Sequence, residues 1–137
     1  MLSPYQLVKE VAKLLEQDQM CYVDRATREV TKIDLSQKKS PEIKEQIILL
    51  EQKSAKYLKI VPMPRQTLVF TMQDFLQEVT DQEIKKELRN GLKRKHPMRN
   101  FMQIVESRYD INQHWNLFKS EQYAKYVGQL FINDYNY

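Results

Sequence analysis

Apolar residues first recur at helical spacing near the start of the chain, where Leu7, Val8, Val11, Leu14 and Leu15 follow Ser3-Pro4. Ser3 predicts an N-cap, Pro4 a first helical position where the missing N–H costs nothing, and Gln6 the third-position partner of a capping box. Glu10, Glu16 and Asp18 balance Lys9 and Lys13. That balance favours a helix packed on its own domain over the basic polar face of a membrane-surface helix. The period changes between residues 20 and 33. Met20-Cys21-Tyr22-Val23 and Val30-Thr31-Lys32-Ile33 flank the polar stretch Asp24 to Glu29, which predicts a hairpin with Cys21 and Val23 on one face and Tyr22 on the other.

Ser40-Pro41 repeats the cap-and-proline device and starts a second helix striped by Ile43, Ile47, Ile48 and Leu50. Tyr57 to Val61 predicts a third strand, stopped by Pro62 and Pro64, which have no N–H for a sheet ladder. Leu68-Val69-Phe70 suits either a short strand or the approach to a helix capped by Thr71 and carrying Met72, Phe75, Leu76 and Val79. Thr80 with Glu83 predicts a capping box for a helix with Ile84, Leu88 and Leu92, closed by Lys93, Arg94 and Lys95 against its dipole. Pro97 opens a helix with Met98, Phe101, Met102 and Val105. A loop around Asp110 to Gln113 then leads to Trp115 and Phe118, and a last helix carries Tyr123, Tyr126, Val127, Leu130 and Phe131.

The pattern predicts an α+β fold: an N-terminal helix and a small antiparallel sheet, a hairpin plus one or two strands, packed against a largely helical C-terminal half. A single domain over residues 1–137 is expected, with strands mainly within 20–70 and helices mainly within 71–133. Composition narrows the chemistry. With only two glycines in 137 residues, glycine-rich phosphate loops and dinucleotide fingerprints are excluded. No apolar run exceeds the four residues Ile47 to Leu50, far below the roughly 20 of a spanning helix. The interrupted apolar positions near the N-terminus do not form the h-region of an export signal. The lone Cys21 has no disulfide partner within the chain, and a cytoplasmic location is expected.

Several short motifs together resemble a known group. Tyr22-Val23-Asp24 and Glu29-Val30 in a hairpin, Tyr57-Leu58-Lys59-Ile60, Met72-x-x-Phe75 before the Thr80 to Leu92 helix, and Met98-Arg99-x-Phe101 with Trp115-x-x-Phe118 are similar to a bacterial uncharacterised protein family of small α+β domains with no established activity. The resemblance covers about residues 20 to 131. It implies the fold and no established activity. Where that family tends to place a glycine after the hairpin threonine, Arg28 follows Thr27, so a different turn type or a longer loop is expected here. The resemblance also marks Arg99 as a polar site residue, with a bond to a helix end as the structural alternative.

Charge supplies the sharpest functional signal. Residues 85 to 99 hold Lys85, Lys86, Arg89, Lys93, Arg94, Lys95 and Arg99 against Glu87 alone, a local balance of +6 in a chain of net charge +4. Arg108, Tyr109, His114, Trp115 and Lys119 follow. Such a cluster suits phosphate contacts with an aromatic stacked on a base, as in single-strand binders. The competing reading is a solvated helix face, with Trp115 and Phe118 in the core. An acidic protein partner would use the same cations.

Enzyme signatures are lacking. His96 and His114 are not at zinc-ligand spacing, no Gly-x-Ser-x-Gly elbow occurs, and paired acids such as Asp81 and Glu83 suit helix starts. No metal, cofactor or membrane association is expected. The leading expectation is a non-enzymatic domain that binds a protein or nucleic-acid partner through Lys85 to Arg99. A small-ligand or catalytic site assembled only in three dimensions, and a structural homo-oligomer, are the alternatives.

Overall fold

The computed structural model describes residues 2–135 and has an α+β fold. Contacts gather them into two compact units, one of residues up to Pro62 with those from Tyr123 onward, the other of Met63–Gln122. In the first unit, α1 (Pro4–Glu16) starts as its sequence dictates. Ser3 Oγ accepts the Gln6 N–H at 3.2 Å, and Gln6 Oε1 accepts the Ser3 N–H at 2.9 Å. Leu7, Val11, Ala12 and Leu15 form its buried face.

Strands β1 (Gln19–Asp24), β2 (Val30–Asp34) and β3 (Tyr57–Ile60) make an antiparallel sheet in the order β2-β1-β3. Central β1 pairs Tyr22 with Thr31 on one side and Lys59 on the other. Met20, Tyr22 and Ile33 receive Ile43, Ile47 and Leu50 from α2 (Pro41–Glu51). Ile48, expected in that stripe, is 57% exposed. Ser40 also departs from the expected cap: its hydroxyl donates to Glu42 at 2.7 Å and bonds no helix-end N–H. The Tyr22 hydroxyl donates to Glu51 at 2.7 Å, and burial with that carboxylate holds its pKa above the ordinary phenol value.

The hairpin turn is built around Asp24. Its carboxylate accepts the N–H groups of Ala26 and Thr27 at 2.8 and 2.9 Å, which lowers its pKa. Arg28 closes the turn with its N–H on the Asp24 carbonyl and a φ of +66°. Arg28 thus takes the left-handed conformation itself, at a cost of about 1 kcal/mol relative to glycine. Beside it, the Arg25 guanidinium donates to the carbonyls of Ser54, Ala55 and Tyr57 and pairs with Asp134 at 2.9 Å. One side chain therefore ties the segment before and into β3, and a residue near the chain's end, to the hairpin.

The second unit is helical: α3 (Arg65–Phe75), a 3-10 turn at Leu76–Glu78, α4 (Gln82–Lys93), α5 (Pro97–Glu106), and the start of α6 (Tyr109–Tyr135). Three expectations are corrected. Leu68 to Phe70 is helix, because α3 starts directly after Pro64; Thr71 is then interior, and its hydroxyl donates back to the Thr67 carbonyl at 2.9 Å instead of capping. Asp81, not Thr80, caps α4 by accepting the N–H groups of Glu83 and Ile84 at 3.0 and 3.2 Å. Residues 110 to 113 belong to the first turns of α6, where Asp110 suits the helix dipole. Among the described residues no helix is long and apolar enough to cross a membrane.

Candidate functional site

α4 divides by spacing into an inner and an outer face. Ile84, Leu88 and Gly91 are buried, while Lys86, Arg89 and Lys93 are exposed and Lys85 is half-buried. Three residues, Arg94 to His96, connect α4 to α5, and His96 turns the chain with a φ of +58°. The corner is held by a residue that charge patterning does not single out. Asn100 Nδ2 donates to the Gly91 carbonyl at 2.9 Å, which also accepts the Arg94 N–H at 3.4 Å, and to the Lys95 carbonyl in the connector at 2.7 Å. Gly91 permits this approach, since a Cβ there would stand 3.2 Å from Asn100 Cβ.

This corner presents Lys93, Arg94, Lys95 and Arg99, all exposed. The Arg94 Nε donates to the Asn90 carbonyl at 3.4 Å. Among the described residues no side chain from Lys85, Lys86, Arg89, Lys93, Arg94, Lys95 or Arg99 forms an ion pair. The alternative considered for Arg99, a bond to a helix end, is instead made by its neighbour Asn100. Cations without carboxylate partners keep their charge available to an external anion.

Arg108 differs from these residues. It pairs with Asp81 at 3.4 Å and with Asp110 at 3.2 Å, and these carboxylates, Asp110 above all, raise its pKa. Its role is therefore local: it ties the start of α6 to the N-cap of α4. Tyr109, next along the chain, is 81% exposed. Trp115, a candidate stacking residue on sequence grounds, is 1% exposed and is corrected to a core residue. Its ring centroid lies 4.9 Å from Phe101 and 5.4 Å from Phe75. Lys119 reaches over that same ring, its Nζ 6.0 Å from the centroid. Of the aromatics that follow the cations in sequence, Tyr109 is left exposed by the packing, and its helical position was hidden by the loop expected after it.

His96 is exposed in its turn, while the His114 ring packs 5.0 Å from Phe75 despite an exposed position. Cys21 is fully buried in β1, and burial followed by Glu10 pushes its pKa up to about 11, so the thiol stays protonated at neutral pH. No group of three or more potential metal ligands occurs among the described residues.

A family model described as Uncharacterised protein family (UPF0158) matches residues 1–136. No curated protein and no solved structure matches the chain.

Proposed function

We propose that this chain, which belongs to the Uncharacterised protein family UPF0158, binds single-stranded nucleic acid through its second unit. The cations of α4 and the α4–α5 corner contact phosphates, and Tyr109 stacks on a base. The observation that carries this reading is a set of cations without ion-pair partners on one short stretch of chain, with an exposed tyrosine anchored by its neighbour Arg108 to the α4 cap. Phosphate contacts supply the affinity, and a tyrosine face accepts any base, so the binding is tolerant of sequence. Arg108 supports the surface by placing Tyr109 and is not counted among the phosphate ligands.

The test is anisotropy with labelled DNA and RNA oligonucleotides across a salt series. Affinity on the order of 1–100 μM at low salt is expected, falling with a log–log slope of about −3 if roughly four phosphates are contacted. Tyr109→Ala should weaken single-strand binding about tenfold and leave duplex binding nearly unchanged. Equal affinity for polyglutamate, or no binding to any oligonucleotide at low salt, contradicts the reading.

A further inference from the structure

Three non-glycine residues among those described have positive φ: Asp18, Arg28 and His96. Aspartate and histidine are enriched in the left-handed region, whereas arginine gains nothing there to offset its Cβ. Strained residues of this kind concentrate at functional sites. Arg28 borders a cleft of about 500 Å³ with Leu7 and Val8 of α1 and Phe131, Ile132 and Tyr135 of α6, a volume within the usual range for small-molecule sites. Its guanidinium stands 6.0 Å from the Phe131 ring centroid. Apart from Arg28 and the Tyr135 hydroxyl, the lining side chains are apolar, and Ile132 is 54% exposed. Among the described residues the guanidinium forms neither an ion pair nor a side-chain hydrogen bond. Glu10 and Glu29 border an adjoining polar cleft that Arg28 also lines, but neither pairs with it.

The geometry points to a binding site in the first unit for a single-tailed carboxylate, a free fatty-acid-like amphiphile, made by residues other than those proposed to meet nucleic acid and not resting on that reading. The tail occupies the apolar cleft between the ends of α1 and α6. The carboxylate meets Arg28, whose planar fork matches two carboxylate oxygens and whose charge the Phe131 face supports. The strained turn aims the one cation of the lining at an otherwise greasy cavity. An uncharged tail alone would leave that guanidinium unused, and a cationic head would be repelled by it.

Calorimetry on the full chain tests this with decanoate below its micelle concentration, decyltrimethylammonium as the equal-tailed cation, and anionic lipid vesicles. Decanoate should bind one to one and the cation should not. Arg28→Gln, which keeps the strained turn but removes the charge, should weaken decanoate about tenfold. Arg28→Gly should do the same while raising the melting temperature by about 3 °C, because it relieves the positive φ. A purely structural arginine would not separate these effects. Ile132→Glu, at an exposed position, should abolish decanoate binding with folding intact. Equal binding of decanoate and the cation, wild-type decanoate affinity in Arg28→Gly, or association with vesicles but not with decanoate would overturn the assignment.

Discussion

Trp115→Ala is expected to cost about 3–5 kcal/mol, a large share of a typical domain stability of about 5–15 kcal/mol. The indole is 1% exposed and packs on Phe75 and Phe101, and Phe75 in turn contacts Phe101 and Phe118. Removing it therefore opens a void that several rings border at once. Trp115→Phe should be much milder, about 1.5 kcal/mol or less. Its buried Nε1 has no hydrogen-bond partner among the described residues, so the smaller ring loses contact area but no hydrogen bond. Urea unfolding followed by circular dichroism checks both variants. Equal damage from the two would mean that the indole N–H has a partner that this account lacks.

The second large effect concerns affinity. Replacing Lys86, Arg89, Lys93 and Arg99 together with glutamine should weaken single-strand binding roughly 100-fold or more, because each cation that releases a counterion contributes to both affinity and salt slope. All four are exposed and none is ion-paired among the described residues. Stability should change little, with at most about 0.3–1 kcal/mol lost where Lys93 faces the α4 dipole. Anisotropy and thermal melting on the same samples separate the outcomes. An unfolded variant would assign these cations to structure, and a folded one with wild-type affinity would remove them from the surface.

Much of the first unit was legible because its signals are local. The Ser3, Pro4 and Gln6 start of α1 needs only three residues to declare itself, and β-branched and aromatic residues mark β1 and β2 wherever the chain places them. The second unit was read less well for physical reasons. Leu68 to Phe70 is too short for periodicity to decide, and its helix is set by packing and by the start after Pro64. Thr80 and Asp81 are adjacent capable caps, and α4 starts after the aspartate, whose side chain accepts the helix-end N–H groups. The cations of the candidate surface were visible as a charge excess, but their exposure, the Asn100 clasp and the swap of Trp115 for Tyr109 depend on contacts between separate helices. The value of φ at Arg28 is a property of the closed turn around Asp24, which composition does not encode.

The most direct test of the central claim is an amide chemical-shift titration of the isotope-labelled protein with an unlabelled single-stranded oligonucleotide at low salt. The account predicts saturable shifts concentrated in residues 85–99 and around Tyr109, with the β1–β2 hairpin unmoved. Shifts concentrated in the hairpin and α1, or none at all, would contradict it.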